Sequence, residues 1–168
     1  MIITTMTSPE LWRKSAEALL SPIIARANSA FGKQLYLRHN RNYFDDPRLP
    51  LKLISEFSLV KRRSFWSDSV VGRFDVTYSA ALYKALGGAL AYVDFWTPHP
   101  RHGFKAPQFD FKYELDRPDN IFVSLVRATT GKSLVAVTVE GQPCFIEERR
   151  AVRTNRIQPG QVFRACTA

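Results

Sequence analysis

The chain has 168 residues, of which 45% are hydrophobic and 23% charged, a composition typical of one globular domain spanning residues 1–168. Its apolar runs are too short to cross a bilayer, no basic-then-apolar leader opens it, and its two cysteines lack C-x-x-C spacing. These features argue against a membrane-spanning protein, a disulfide framework and a cysteine metal site, and they favour a cytoplasmic location.

The N-terminal segment predicts helices. Ser8, Pro9 and Glu10 are typical of an N-cap, a first helical position and an acid near the positive helix end. Apolar residues then recur at three- and four-residue steps as far as Phe31, which predicts one stripe that packs on a sheet. The dipeptide Ser21-Pro22 repeats the starting signal, so we expect two helices with a bend, the second ending at Gly32.

Strand patterns follow this helical segment. The stretch "QLYLRH" predicts a strand, and "NRNYFDDPRLP" predicts a loop because it is rich in Asn, Asp and Pro. Two further strands are expected on either side of Ser67-Asp68, with Trp66 paired to Ser69. That register places Lys61 and Arg63 on the apolar face of the sheet, a costly position unless this face binds a ligand or the strand is an edge.

The rest of the chain predicts one short helix and a series of strands. The stretch "YSAALYKALGG" is helix-like, whereas "ALAYVDFW", "FDFKYELD", "IFVSLVRA", "SLVAVTVE" and "CFIEERR" are strand-like. The stretch "TTGKS" lacks the earlier glycine of a phosphate loop, so we assign Gly131 to a hairpin turn. The predicted fold class is therefore α+β, with N-terminal helices packed on a mostly antiparallel sheet of about six to eight strands.

The positive charge is concentrated in two stretches. The net charge is +9, and residues 33–73 carry nine Lys or Arg against four Asp or Glu, while residues 149–168 carry five Arg and no acid. Charge concentrated in this way favours a basic face for a polyanion, with DNA or RNA as the expected partner. Evenly scattered charge would indicate only solubility.

Aromatic residues alternate with these cations in "YLRHNRNYF" and "KRRSFW". Such mixtures are typical of proteins that hold single-stranded nucleic acid, because cations follow phosphates and rings stack on bases. The predicted nucleic-acid-binding residues are Arg38, Arg41, Lys61, Arg62, Arg63, Trp66, Arg73, Arg149, Arg150, Arg153 and Arg156. The alternative is that the rings belong to the core and the cations only solvate the surface.

A second hypothesis depends on Asp94 in "AYVDFW" and on Asp110 and Lys112 in "FDFKYE". A hairpin that joins these stretches places the three side chains on one face, where two carboxylates and a lysine suit Mg²⁺-dependent phosphodiester cleavage. This pattern resembles the core of restriction-endonuclease-like nucleases. The resemblance implies that Asp94, Asp110 and Lys112 are catalytic and that the two aspartates hold Mg²⁺. A strand predicted after Lys112 departs from that family, which has a helix there, and a set of surface ion pairs explains the same residues.

A third hypothesis is a small interaction or inhibitory factor whose basic face docks on an acidic protein. Free sheet edges also favour a homo-oligomer. No cofactor is expected apart from Mg²⁺ in the nuclease hypothesis, and no membrane partner is expected. His99 and His102 lie in a Pro-rich loop, where we expect a solvated turn in preference to a metal site or acid–base chemistry.

Overall fold

The computed structural model describes residues 8–46, 48, 52–79, 90–148 and 163–164. The chain forms two compact units, Met1–Leu115 and Asp116–Ala168, and the expectation of a single domain stays a prediction. In the described part of the chain, no helix is long and apolar enough to span a membrane.

The first unit consists of one helix followed by five strands. The elements are helix α1 (Pro9–Phe31), β1 (Leu35–Phe44), β2 (Lys52–Lys61), β3 (Ser69–Ser79), β4 (Leu90–His99) and β5 (Gly103–Glu114). The strands form one sheet in the order β1-β2-β3-β4-β5, and each pairs antiparallel with the next. Strands β1 and β5 are therefore the edges of this sheet.

Helix α1 begins and ends where the sequence predicts. The Ser8 hydroxyl accepts a hydrogen bond from the Leu11 N–H at 3.2 Å, Pro9 is the first helical residue, and Gly32 ends the helix at φ 60°. The predicted break at Pro22 is wrong, because the helix runs on through this residue, whose side chain is exposed. The apolar stripe is buried, as expected for a helix on a sheet, and comprises Trp12, Ala16, Leu20, Ile23, Ile24 and Ala27.

Two side chains attach the ends of α1 to the sheet. The Trp12 indole N–H donates to the Val76 carbonyl at 3.0 Å, and its ring lies 5.5 Å from that of Tyr78. Near the other end, the Asn28 amide donates to the Leu35 carbonyl at 2.8 Å and accepts from the Leu35 N–H at 2.9 Å. Both ends of the helix are therefore hydrogen-bonded to strands of the sheet.

We call the covered side the helix face and the opposite side the far face. A row of directly opposed rings crosses the helix face through the four strands β2 to β5, made of Phe57, Phe74, Phe95 and Phe111. All four side chains are at most 6% exposed, so they form the centre of the core. Gly72 lies beneath the Phe95 ring, and a Cβ atom at this position would stand only 2.4 Å from the ring.

The structure corrects two predictions about β1 to β3. Residues 40–44, predicted as loop, belong to β1, which is interrupted by a bulge between His39 and Arg41. The pairing of Trp66 with Ser69 is also wrong, because Ser69 pairs with Lys61. Residues 62–68 form the connecting loop, so Arg63 and Trp66 do not lie on either face of the sheet.

The second unit contains helix α2 (Pro118–Thr130) and strands β6 (Leu134–Val139), β7 (Gln142–Glu147) and β8 (Phe163–Arg164), which pair antiparallel in that order. The stretch "IFVSLVRA", predicted as a strand, lies in α2 and buries Ile121, Phe122, Leu125 and Val126. Gly131 ends this helix at φ 73°, so its assignment to a hairpin turn is also wrong.

The predicted fold class is confirmed. The described residues form an α+β structure in which every strand pair is antiparallel, with the strands divided between a five-stranded and a three-stranded sheet. The first two residues of the predicted helix "YSAALYKALGG" belong to β3, and its remaining residues lie outside the described part of the chain. Cys144 is buried, and Cys166 lies outside the described residues.

Candidate nucleic-acid interface

The far face of the five-stranded sheet carries two parallel rows of polar and aromatic residues. Directly opposed residues on neighbouring strands point to the same face, so the observed register defines each row. The first, which we call the basic-aromatic row, comprises Arg38, Ser58, Arg73, Trp96 and Phe109, one residue from each strand. The second, which we call the carboxylate row, comprises Arg41, Glu56, Asp75, Asp94 and Lys112.

Three residues of the basic-aromatic row are in contact with one another. The Arg73 guanidinium lies 4.6 Å from the centre of the Trp96 ring, and Trp96 meets Phe109 edge-on with their centres 5.5 Å apart. Phe109 is 55% exposed and Arg38 is also exposed, so the row is accessible at both ends. An exposed ring beside a stacked guanidinium is an arrangement that base stacking can extend.

The loop between β2 and β3 adds two more rings at the end of the sheet. Phe65 is 93% exposed and Trp66 is 78% exposed, the two most exposed large hydrophobic side chains among the described residues. They follow directly after Arg62 and Arg63, which are also exposed. We call residues 62–68 the hairpin tip, and its two exposed rings are not part of the core.

Tyr36 and Asp68 hold the base of the hairpin tip against β1. The Tyr36 hydroxyl donates to one Asp68 carboxylate oxygen at 2.6 Å, and the Arg63 N–H donates to the other at 3.2 Å. These hydrogen bonds hold the pKa of Asp68 below its usual value and raise that of Tyr36. The Arg62 guanidinium lies 5.2 Å from the centre of the Tyr36 ring. The loop is therefore anchored while its rings project outward.

The predicted cations fall into two groups. Within the described residues, Arg38, Lys61, Arg62 and Arg63 have no carboxylate within ion-pair distance, so their charge is available to a ligand. In contrast, Arg41 pairs with Glu56 at 3.3 Å. Arg73 Nε lies 3.6 Å from Asp75 Oδ1, a contact too long for a hydrogen bond. The charge around the hairpin tip is therefore mainly that of the four cations without an ion-pair partner among the described residues.

The carboxylate row brings three acids together at the centre of the far face. Glu56, Asp75 and Asp94 are directly opposed on β2, β3 and β4, and the row ends in Arg41 and Lys112. Lys112 Nζ lies 3.6 Å from Asp94 Oδ1. The cations at both ends reduce the repulsion among the three carboxylates, and Arg73 lies 3.6 Å from the central acid.

Burial changes the acidity of this row. Asp75 is 8% exposed, and removal from water raises its pKa to about 6, against the opposing effect of Arg73. The neighbouring Glu56 and Asp94 carboxylates raise it further. Burial also raises the pKa of Asp94, although Lys112 acts in the opposite direction. The row therefore takes up a proton at a mildly acidic pH.

The bulge in β1 connects the two rows. Asn40 is the additional residue between the paired residues His39 and Arg41. Its amide donates to Glu56 Oε2 at 3.1 Å and to the Ser58 hydroxyl at 2.9 Å. This amide therefore links Glu56 of the carboxylate row to Ser58 of the basic-aromatic row near the β1 edge.

The proposed nuclease residues do not gather into a metal site in the part of the chain that the structure describes. Asp94 is opposite Lys112, whereas Asp110 is the additional residue of a bulge between Phe109 and Phe111 and is exposed. Among the described side chains, no group of three or more His, Cys, Asp or Glu residues is placed to hold a metal ion. The element after β5 is helix α2, so the predicted strand is wrong. Restriction-endonuclease-like nucleases also have a helix at this place, so this one difference from them no longer holds.

The histidines of the Pro-rich stretch form a turn. The rings of His99 and His102 are stacked with their centres 4.8 Å apart, and His99 Nδ1 accepts hydrogen bonds from the Arg101 and His102 N–H groups. Most of the Pro-rich stretch expected as a loop belongs instead to the ends of β4 and β5. His99 Nδ1 is therefore occupied by hydrogen bonds within the turn, and the expectation of a solvated turn stays a prediction.

The predicted binding residues lie in different parts of the structure. Arg38 and Arg73 share the basic-aromatic row, Arg62, Arg63 and Trp66 lie in the hairpin tip, and Lys61 ends β2 beside it. Arg149, Arg150, Arg153 and Arg156 lie outside the described residues. Sequence reasoning missed Trp96 and Phe109, because their alignment with Arg73 appears only when the register of three strands is known.

Comparison of the chain with protein-family models, curated proteins and solved structures gives no match.

Proposed function

We propose that this protein binds nucleic acid through the basic-aromatic row and the hairpin tip. The observation that carries the proposal is the alignment of Arg73, Trp96 and Phe109 on one face, with the Arg73 guanidinium stacked on Trp96 and the Phe109 ring exposed. Antiparallel sheets that bind nucleic acid use rings on an exposed face in this way.

Two kinds of contact would provide the affinity. Arg38, Lys61, Arg62 and Arg63, which form no ion pair with the described carboxylates, attract phosphates, and each neutralised phosphate releases condensed counterions. Exposed rings at Trp66 and Phe109 stack on bases, at about 1–3 kcal/mol per base. Neither contact requires a particular base, so the expected binding depends strongly on salt and weakly on sequence.

A salt titration tests the proposal. Affinity for a fluorescent oligonucleotide is measured between 50 and 300 mM salt, and a steep fall in affinity is expected. The double variant Arg62→Gln/Arg63→Gln should reduce the slope of log K against log salt by about 1.4 for a single strand. Lys14→Gln, on the exposed side of α1, is the matched control and should leave the slope unchanged. Absence of binding at 50 mM salt would contradict the proposal.

The nuclease hypothesis stays a prediction and is tested separately. Mg²⁺-dependent cutting of an oligonucleotide that is lost in Asp94→Asn would support it. The described residues offer no three-ligand metal group, so cleavage is not part of the function proposed here. Docking on an acidic protein is a further prediction, and a partner retained after nuclease treatment of an extract would distinguish it from nucleic-acid binding.

A further inference from the structure

Three cations of the far face lie over aromatic rings, and we call these contacts the cation–ring pairs. The distance from the charged group to the ring centre is 4.5 Å for Arg41 and Tyr43, 4.6 Å for Arg73 and Trp96, and 4.4 Å for Lys112 and Tyr92. Tyr43 and Tyr92 belong to the far face, because each lies two positions along its strand from a residue of the carboxylate row. The pairs are therefore distributed across the sheet from β1 to β5.

The cation of each pair also contacts a carboxylate. The nitrogen–oxygen distance is 3.3 Å for Arg41 and Glu56, 3.6 Å for Arg73 and Asp75, and 3.6 Å for Lys112 and Asp94. The side chains of the three acids are only 11–14% exposed, whereas that of Arg41 is 64% exposed and that of Lys112 is 56% exposed. The charged groups of the carboxylate row that a ligand can reach are therefore those of Arg41 and Lys112.

The ring and the carboxylate together fix the direction of each exposed cation. Arg41 donates from Nε and from one terminal nitrogen to the same Glu56 oxygen, at 3.4 and 3.3 Å. A guanidinium has five N–H donors and an ammonium has three, so each cation retains donors for a ligand. A side chain that is already held in place loses less conformational freedom when a ligand binds.

We infer that the nucleic-acid site extends from the basic-aromatic row across the carboxylate row, with Arg41 and Lys112 as phosphate contacts at the two edges of the sheet. The inference rests on the proposed function and adds residues to its site. Tyr43 and Tyr92 act as positioning residues, because they hold the two cations in the direction in which they meet the ligand.

These two contacts differ from those of the unpaired cations. A nearby acid compensates the charge of Arg41 and of Lys112, so neither attracts a polyanion strongly over a distance. At hydrogen-bonding distance each still donates to a phosphate oxygen, and contacts of this kind fix the position of a nucleic acid on a protein. Arg41 and Lys112 therefore orient a ligand that Arg38 and the hairpin tip attract.

The extended site has definite dimensions. Arg41 and Lys112 lie on β1 and β5, four strand spacings or about 19 Å apart. The basic-aromatic row runs beside them, two residues or about 7 Å away along the strands. A segment of nucleic acid laid across the strands over Trp96 can therefore place phosphates at both edges of the sheet.

The first test is lysine footprinting on the full chain. Amine acetylation is followed by mass spectrometry with and without a single-stranded oligonucleotide. We expect the oligonucleotide to slow the acetylation of Lys112 in proportion to the fraction of protein bound, as it should for Lys61 beside the hairpin tip. Lys14, on the exposed side of α1, is the control and should react at an unchanged rate.

The second test compares Tyr92→Leu with Tyr92→Phe. The leucine variant removes the ring that holds Lys112 and should weaken oligonucleotide binding about two- to five-fold, the equivalent of a cation–π contact of ~0.5–1 kcal/mol. The phenylalanine variant keeps the ring and should bind like the wild type. Neither change alters the charge of the protein, and a melting curve establishes that both variants are folded.

The outcomes separate the inference from the proposed function. Protection of Lys61 without protection of Lys112, or equal affinity of the two Tyr92 variants, would overturn the inference and leave the proposed function intact. Poly-glutamate is a second probe, and equal protection of Lys112 by this polymer would assign the face to an acidic protein and also overturn the inference. Failure of the oligonucleotide to bind at the lowest salt concentration would overturn both.

Discussion

Asp75 and Asp94 lie directly opposite each other on β3 and β4, and Asp75 is almost completely buried. Like charges that face each other across a sheet are destabilising, and burial adds the cost of removing a charge from water. The pKa of Asp75 is accordingly raised to about 6 from an ordinary value of 3.8. The sheet therefore contains a carboxyl group whose neutral form is favoured by folding.

We predict that stability falls between pH 4 and pH 6 and that Asp75→Asn reduces this fall. A raised pKa in the folded state means that the folded protein binds more protons than the unfolded protein in this window, so unfolding becomes easier as the pH rises. At pH 7 the variant should be more stable by about 1–2 kcal/mol, after allowance for screening by water. Urea unfolding at pH 4 and pH 7 measures both effects.

The control for this measurement is Asp110→Asn, which changes an exposed carboxylate on β5. Its free energy of unfolding should follow the wild-type pH dependence. A wild-type stability that rises from pH 4 to pH 6, with no difference in Asp75→Asn, would contradict the assignment.

Trp66→Ala should weaken single-strand binding without affecting the fold. The ring is 78% exposed, so its removal should change the free energy of unfolding by less than about 0.5 kcal/mol. Loss of one stacked base should reduce affinity by about 1–3 kcal/mol. Fluorescence anisotropy measures the affinity, and Leu19→Ala, an exposed apolar position on α1, serves as the control. Equal losses in the two variants would refute a specific role for Trp66.

Trp12→Phe should loosen the attachment of α1 to the sheet. The substitution keeps an aromatic ring near Tyr78 but removes the N–H that donates to the Val76 carbonyl. Loss of this buried hydrogen bond and of part of the ring should cost about 1–3 kcal/mol. Thermal unfolding measures the effect. A melting temperature equal to that of the wild type would show that the hydrogen bond contributes little.

Gly72→Ala should destabilise the first unit. A Cβ atom at this position would lie 2.4 Å from the Phe95 ring, which is completely buried and packed between Phe74 and Phe111. Overpacking of this kind typically costs about 1–3 kcal/mol. The double variant Gly72→Ala/Phe95→Leu should be less destabilised than the sum of the single changes, because the shorter side chain relieves the clash. Strict additivity in the double variant would contradict this explanation.

Local sequence signals predicted the elements that depend on neighbouring residues. Ser8, Pro9 and Gly32 marked both ends of α1, because capping is determined within one turn of the helix. The stretch "IFVSLVRA", predicted as a strand, lies in α2, so an apolar run alone does not distinguish a strand from a helix. The run from Ile121 to Val126 is almost continuously apolar, and a run of this length is compatible with a buried strand as well as with a helix. Pro118 and Gly131 at the two ends favoured the helix, and this signal was overlooked.

Features that depend on strand register could not be predicted from the sequence. The seven-residue length of the hairpin tip and the bulge at Asn40 determine which residues face each other, and neither follows from alternation alone. The contact between Arg73 and Trp96 joins residues 23 positions apart and requires the pairing of β3 with β4. The cations of the site were predicted from charge concentration, whereas the rings of β4 and β5 were not.

The unbroken path of α1 through Pro22 has a consequence for how this protein acquires its structure. Proline has no N–H to offer the carbonyl of Ala18, one turn earlier, so the middle of the helix lacks a hydrogen bond that other helices have. Contacts with the sheet compensate for this weakness, as the buried stripe from Trp12 to Ala27 shows. A synthetic peptide of residues 8–32 should therefore be largely unstructured in water, and the helix should form only when the strands are available to receive it.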